Sequence, residues 1–400
     1  MTLASLLANK YAIWYNTQRM EKFDVAIIGG GMSGIILAIS LRKQGINACI
    51  VEAKDRIGKK ILASGNGKCN ILNKDLSLDN YNNDFPKYAL SKYNYEKLSE
   101  LYNSMGLLLK ADQEGRVYPY AESANTVLNV FLDELQKLNT KVFLNSKVEK
   151  ITKQGNLFAL NGANFSIQAD NVVLSSGSNA SFGINSHSLY APFSHKATKI
   201  EQSLVPIKTN ALKGANGVRC KAVASLYIKG KMVFSESGEL LFKDNFLSGI
   251  LAFKMSAYIA REIVKTNSCD AYVEIDFCPE YTEEEINNIL DDSPMAHPLC
   301  GLLHKAIAFN FEDEDDVAYA IKHHKCKVEG LAGIDNAQVV SGGLDVKDFD
   351  PSTMESKLQK GLYAIGEVLD VDGQCGGYNL SWAAASALVC ADSLKDKLCK

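Results

Sequence analysis

Two patches of this sequence combine residue types and spacings suited to holding a phosphate-bearing ligand. The first is Gly29-Gly30-Gly31-Met32-Ser33-Gly34, a G-x-G-x-x-G run, with Glu52 following 23 residues after Gly29. In such a run Gly29 permits a tight turn, Gly31 lets the backbone approach a pyrophosphate, and Gly34 lets a helix lie close to a sheet. The phosphates then meet free amides at a helix start. Glu52 is placed to accept the two ribose hydroxyls of an adenosine, and its carboxylate would repel a 2'-phosphate, which argues against NADP at this motif. The second patch is Gly373, Gly376 and Gly377 followed by Asn379. These glycines leave backbone amides uncovered, and Asn379 is expected to cap a helix whose positive end favours an anionic ligand. Each patch alone also fits a plain turn, so the surrounding elements must decide.

Around the first patch they agree. Residues 23–28 are a short apolar run, residues 32–42 have helical apolar spacing ended by Gln44-Gly45, and residues 48–51 form a second apolar run closing on Glu52. That order predicts a strand, glycine turn, helix and strand, a βαβ unit. Residues 86–140 read as mostly helical, most clearly at 126–138. Strand character follows at 141–144, 147–153, 157–160 and 165–175, separated by Gln154-Gly155-Asn156 and Asn161-Gly162-Ala163, which predicts a small antiparallel meander. Residues 186–330 read as a different layer. Strands are expected at 204–209, 223–228, 232–234 and 240–242, and helices at 246–264 and 283–290. Apolar strands return at 338–340 and 361–365, before a final helix at 380–394.

NAD and FAD share the first half-site. A meander ending in the buried run Val172-Val173-Leu174, with a strand near Val148 at the adenine, is the arrangement of two-dinucleotide-binding flavoproteins. Gly361-Leu362-Tyr363-Ala364-Ile365-Gly366-Glu367 reads as a buried strand delivering an acid to a ribityl or phosphate hydroxyl. A NAD-dehydrogenase Rossmann domain needs no such second element, so FAD is expected. The second patch would then direct its helix dipole at the flavin N1/O2 edge and stabilise the reduced anion. No second G-x-G-x-x-G occurs. A nicotinamide donor would therefore enter transiently at the flavin face, or oxygen would reoxidise the cofactor.

Composition narrows the rest. Of 400 residues, 43 are basic and 46 acidic, for a net charge of -3, so no global basic field exists for nucleic acid or an anionic membrane. Ten cysteines lie at least nine positions apart, which excludes a C-x-x-C redox pair and a paired zinc knuckle. They read as reduced thiols of a cytoplasmic protein. The uncharged stretch 25–41 is too short and too glycine-broken to span a bilayer. Residues 1–19 lack the features of a signal peptide and are expected to be an N-terminal arm. Cys69 and Cys375 read as small fillers or as thiols near a flavin, and His187 and His195 as ordinary histidines or proton donors. His323-His324 reads as part of a solvated basic face, and the acidic run 312–316 as a hydrated helix start rather than a calcium loop.

The chain resembles the aminoacetone-oxidase-like FAD-binding flavoproteins, a family that also holds dehydro-bile-acid reductases. The matching stretches are 24–34, Gly58-Lys59-Lys60, 64–70, 338–343, 353–358, and 361–380 including Asp372-Gly373-Gln374-Cys375-Gly376-Gly377-Tyr378-Asn379-Leu380. The resemblance implies FAD held by Ser33 and Gly34 at the first turn, Glu52 on the ribose, then Lys59 and Lys60. It also implies Val148 at the adenine, Gly366-Glu367 on the ribityl side, and Gly376, Gly377, Asn379 and Leu380 at the isoalloxazine. The chain departs from the family at Ser175-Ser176-Gly177-Ser178 and at 238–250, which weakens any substrate assignment. The expected fold is α/β. A Rossmann-like FAD domain of the two-dinucleotide-binding type (20–185 and 331–400) would be interrupted by a β-rich, barrel-like and helical substrate domain (186–330). The expected activity is hydride transfer between flavin N5 and a small or polycyclic organic substrate. It would be either C=C reduction with NAD(P)H or amine oxidation with oxygen. A flavin-dependent nucleic-acid-modifying enzyme and a non-enzymatic FAD-binding redox sensor are the alternatives.

Overall fold

Val25, Ala26, Ile27 and Ile28 are all buried, the continuous apolar run required of a strand covered on both faces. They end β1 (Glu21–Ile28) in the structure, a computed structural model that describes residues 21–180, 189, 191–210 and 212–399. The arm at 1–19 and His187 fall outside the described residues. The chain continues through α1 (Met32–Lys43), buried over most of its length, into β2 (Ala48–Val51), which lies parallel to β1 with Val25 opposite Ala48. The expected βαβ unit is present.

Beyond α2 (Lys59–Ala63) the structure departs from the helical expectation for 86–140. Helices Lys87–Lys92 and Tyr95–Ser104 form, but β3 (Leu72–Asn73), β4 (Leu109–Ala111) and β5 (Arg116–Pro119) make a small antiparallel sheet in the order β3-β5-β4. The local cause is Asp112, whose Oδ1 accepts from the amides of Glu114 and Arg116 and so closes the hairpin turn. The amphipathic α3 (Ala124–Lys137) then delivers β6 (Lys141–Phe143) as a crossover, so β6 pairs parallel with β2 instead of opening the meander. The meander is β7 (Lys150–Gln154), β8 (Leu157–Gly162) and β9 (Phe165–Leu174), with 147–149 ahead of its first strand.

The chain enters a second layer through β10 (Glu201–Ser203) and β11 (Ile207–Thr209). The strand expected at 204–209 begins only at Ile207, and Leu204, at a left-handed φ of 51°, lies in the turn between β10 and β11. Two strands expected at 232–234 and 240–242 are one, β13 (Lys231–Lys243), paired along its length with β12 (Arg219–Ile228). The helix expected from 246 starts later. Residues Phe246–Ser248 are β14, and Gly249 at φ 90° turns the chain into α4 (Ile250–Thr266). Then come β15 (Ala271–Asp276), α5 (Glu283–Asp291), α6 (Val317–Lys322) and β16 (His324–Leu331). Strands β11-β14-β13-β12-β15-β16 close into a barrel. Alternation along β12 and β15 turns Ala224, Leu226, Val273 and Ile275 into its core.

The chain leaves this layer through β17 (Val339–Ser341), antiparallel to β10, and reaches β18 (Leu362–Ala364) and α7 (Tyr378–Leu398). The main sheet runs β6-β2-β1-β9-β8-β7, with β18 also on β9. Helix α7 packs on α1. One apolar core surrounds this sheet and another fills the barrel. Between them Leu204, Ala257 and Val339 form a small cluster with Phe253 and Cys375.

Candidate active site

A cavity of about 520 Å³ runs from the β1–α1 turn to the seam between the layers. At the near end each glycine of the turn has a different reason to be there. Gly29 has φ +111°, and a Cβ on Gly34 would lie 2.0 Å from the Gly29 carbonyl oxygen. A Cβ on Gly31 would meet no protein atom within 4 Å. Packing therefore demands glycine at 29 and 34, whereas at 31 only a ligand in the cavity would. Gly31 lines that cavity together with Gly29 and Ser33, and Gly34 stands behind the wall against Gly29 and Ser175. Helix α1 begins with no side-chain cap and no acid in its first turn, which leaves its positive end for an anion.

Glu52 Oε2 accepts from the Gly30 amide at 2.7 Å and Oε1 from the Lys54 amide at 2.9 Å. Both bonds fix the carboxylate on the cavity wall while leaving further lone pairs for ligand hydroxyls. Val148 lies on the same wall. Lys59 and Lys60 also line the cavity but already have carboxylate partners, Asp55 at 2.5 Å and Glu367 at 3.1 Å. Glu367 is held further by Ser178 Oγ at 2.8 Å and the Val340 amide at 3.2 Å. Gly366 does not line the cavity. It is buried with φ +68°, its absent Cβ making room for Ser33, and its amide donates to Ser386 Oγ.

At the other end α7 points its N-terminus into the cavity through Gly376, Gly377, Asn379 and Leu380. Asn379 is not the cap. The helix starts at Tyr378 after Gly377, which has φ 96° and needs glycine because a Cβ there would lie 2.5 Å from the Leu72 carbonyl oxygen. Asn379 instead accepts from the Gly373 amide and donates to the Gly373 carbonyl, both at 2.8 Å, locking the loop. Asn73 Nδ2 donates to the Gly376 carbonyl at 2.7 Å. Two uncapped helix starts thus face one cavity, and neither has an acid in its first turn.

The remaining wall was not legible in the sequence. Alternation in β5 puts Arg116 and Tyr118 on the cavity while Val117 and Pro119 are buried in the core. Leu204, Ile250, Phe253 and Val339 supply an apolar face from the seam, and Gln374 and Cys375 complete it. Burial pushes the Tyr118 phenol and the Cys375 thiol up, so both hold their protons at neutral pH. Cys69 is buried outside the cavity lining, its thiol raised to about 11 by burial. His195 is structural: its Nε2 lies 2.7 Å from Ser356 Oγ and its ring stacks on Phe349 at 5.0 Å. His323 faces Glu274 and Glu283, while His324 is packed beside Phe277 and Phe311, so this pair is not a solvated basic face. Asp316 accepts from the Tyr319 amide and starts α6, as expected of the acidic run.

The cavity fits a flavin dinucleotide on its own terms. It has two helix starts for negative charge and an open face at Gly31. Ser176 lines it with a buried hydroxyl oxygen that has no protein partner. The arrangement is that of a Rossmann-type flavoprotein oxidoreductase, and its cofactor is FAD. The chain belongs to the HI0933-like protein Rossmann domain family, whose sequence model matches residues 23–393, in keeping with the resemblance drawn from its motifs. It is 32% identical over 399 residues to a 3-dehydro-bile acid delta(4,6)-reductase of Clostridium scindens, covering 90% of this chain and 96% of that protein. It is 26% identical over 414 residues to a ribosomal RNA dihydrouridine synthase of Escherichia coli, covering 94% and 98%. A solved 3-ketosteroid-delta4-(5alpha)-dehydrogenase from Rhodococcus jostii RHA1 aligns with a TM-score of 0.49 at 11% identity, over 94% of this chain and 98% of that one. Among the described residues no helix is long and apolar enough to cross a membrane, and no group of three or more His, Cys, Asp and Glu could hold a metal ion.

Proposed function

We propose that this protein reduces a C=C bond conjugated to a carbonyl in a small or polycyclic substrate, with NAD(P)H as the electron donor, in the cytoplasm. The observation that carries the reading is the apolar face of Leu204, Ile250, Phe253 and Val339 lying in one cavity with the α7 N-terminus. Bound FAD supplies two-electron transfer there. The chain's residues divide the remaining work. The α1 start and Glu52 hold the dinucleotide, Lys60 and Glu367 brace its middle, and the seam excludes water from the reacting carbons. Reduction delivers a hydride to one carbon and a proton to its neighbour, and Tyr118 is a proton-bearing group on the wall. Amine oxidation is the weaker reading, because the seam face of Leu204, Ile250, Phe253 and Val339 offers an amine no carboxylate partner. The similarity to the bile-acid delta(4,6)-reductase supports C=C reduction.

A second reading has a specific observation behind it. Dihydrouridine is uridine with a ring C=C saturated, so the similarity to the ribosomal RNA dihydrouridine synthase allows the same chemistry on RNA, despite the net charge of -3. Anaerobic stopped-flow spectroscopy tests the main reading. NADH or NADPH should bleach the flavin and an α,β-unsaturated ketone should restore its colour, with one saturated product formed per donor consumed. Bleaching by amines alone would refute it. Substrate-dependent turnover on unmodified ribosomal RNA, with none on ketones, would establish the second reading instead.

A further inference from the structure

Gln374 is 93% buried on the loop between β18 and α7, and neither its Nε2 nor its Oε1 has a hydrogen-bond partner in the protein. The loop around it is tied down by hydrogen bonds. The Gln374 amide donates to the Asn80 carbonyl at 2.8 Å, the Asp372 amide to Asn82 Oδ1 at 3.1 Å, and Asn379 brackets Gly373. A buried amide left unpaired is costly, so a residue held this firmly without partners points to a ligand that supplies them. The side chain lines the cavity, and its neighbour Cys375 packs with Leu204, Val339 and Phe253 on the seam. Arg116 and Tyr118 of β5 line the same cavity. Leu204 is held at φ 51° with 3% exposure, a left-handed conformation that is uncommon outside glycine and asparagine and is often found at ligand sites.

We propose that Gln374 is a specificity-determining residue: its Nε2 donates to the carbonyl oxygen of the substrate, and its Oε1 accepts from an O–H or N–H of the same molecule. The substrate class is therefore a cyclic carbonyl compound with an apolar body and an O–H or N–H beside its carbonyl, and a simple ketone probes the Nε2 half of that contact. A hydrogen bond to that oxygen would orient the ring against Leu204 and Phe253 and withdraw electrons from a conjugated C=C. The isoalloxazine carries carbonyls too, but the backbone amides at the α7 start are the donors expected at its edge, and the residue next to Gln374, Cys375, packs on the seam.

The inference rests on the seam being the substrate end, and its test does not require turnover. FAD-loaded protein is titrated with cyclohexanone and with methylenecyclohexane, whose carbonyl oxygen is replaced by CH₂, and the change in the flavin absorption band is followed. The ketone should bind about ten-fold more tightly than the hydrocarbon to wild type. Gln374→Met, of similar length and apolar, should remove that preference while keeping FAD stoichiometry and the ligand-free spectrum. Equal binding of the two probes to wild type would overturn the proposal, and needs no variant. A fall in FAD content or a shifted ligand-free spectrum in Gln374→Met would also overturn it, by making the flavin the partner. Failure of unsaturated ketones to reoxidise the flavin would sink the reductase reading alone, because the saturated ketone titration still reports on Gln374.

Discussion

The two ends of the cavity are built by different means. The end at the β1–α1 turn is mostly backbone, three glycines and a helix start from one short stretch, with Glu52 one strand away. Past the α7 helix start, the seam wall is side chain: Arg116 and Tyr118 from β5, Leu204 from a strained turn, Phe253 from α4, Val339 from β17 and Gln374 from a loop. Backbone recognition suits a constant ligand, because amides and helix dipoles read phosphate and ring charge without regard to substituents. Side-chain recognition suits the variable partner, since each residue can change without disturbing the fold. On the proposed function, cofactor and substrate fall to different kinds of wall.

The sharpest break in this contrast comes within the glycine turn. Gly34→Val would drive side-chain atoms into the Gly29 carbonyl and Ser175, 2.0 and 2.8 Å from the first added carbon, so the folded flavoprotein should be lost altogether. Gly31→Ala meets nothing in the protein. It should fold with an unchanged circular dichroism spectrum and thermal midpoint when apo, yet bind FAD at least ten-fold more weakly, as measured by fluorescence titration. If Gly31→Ala keeps full FAD affinity, the pyrophosphate does not approach this turn.

The same contrast explains which parts could be read from the sequence. The β1–α1–β2 unit was legible because its strand, glycines, helix and acid lie within one continuous stretch, and each obeys a local rule. Gly376, Gly377 and Leu380 were legible as a cluster, but the cap was misplaced. Gly377 in a left-handed conformation and Asn379 as an N-cap leave the same sequence signature, and only the Leu72 carbonyl at 2.5 Å distinguishes them. The β4–β5 hairpin was hidden between two helices by its shortness, although the Asp112 turn and the Arg116, Tyr118 alternation were signals for it. Gln374 could not be found, because the absence of a partner is a property of packing between distant segments. His195 is the ordinary packed histidine that its sequence context favoured, though nothing local announces that Phe349 and Ser356 enclose it.

The join between the two ends gives the next largest effect. Arg261 of α4 donates through Nε to Asp372 Oδ2 at 3.0 Å and through Nη2 to the Asp372 carbonyl at 2.9 Å, and Ser341 Oγ meets Oδ1 at 3.0 Å. This almost fully buried pair ties the barrel layer to the flavin-side loop, with Asp372 pushed up by burial and Arg261 opposing that shift. Arg261→Met should cost about 3–5 kcal/mol in urea unfolding, because it strands a buried carboxylate. Asp372→Asn in the same chain should recover part of the loss. If the single variant costs less than about 1 kcal/mol, a surface-like value, the two layers are not clamped here.

The smallest of these effects separates the layers by pH. Burial among Phe277 and Phe311 in the barrel core holds His324 down to about 4 from an ordinary 6.5. The sign follows from which state takes the proton. Below pH 6.5 the unfolded chain binds it and the folded barrel does not, so the stability that neutral His324 contributes is complete above 6.5 and is lost as the pH falls toward 4. Across that window the loss amounts to about 3 kcal/mol at most, from the size of the shift. His324→Phe should flatten this part of the urea-stability profile between pH 4 and 6.5, while FAD affinity at neutral pH stays the same because no His324 atom reaches the cavity. An unchanged profile would mean that the imidazole protonates in place, and the barrel core would then be open to water where Phe277 and Phe311 close it.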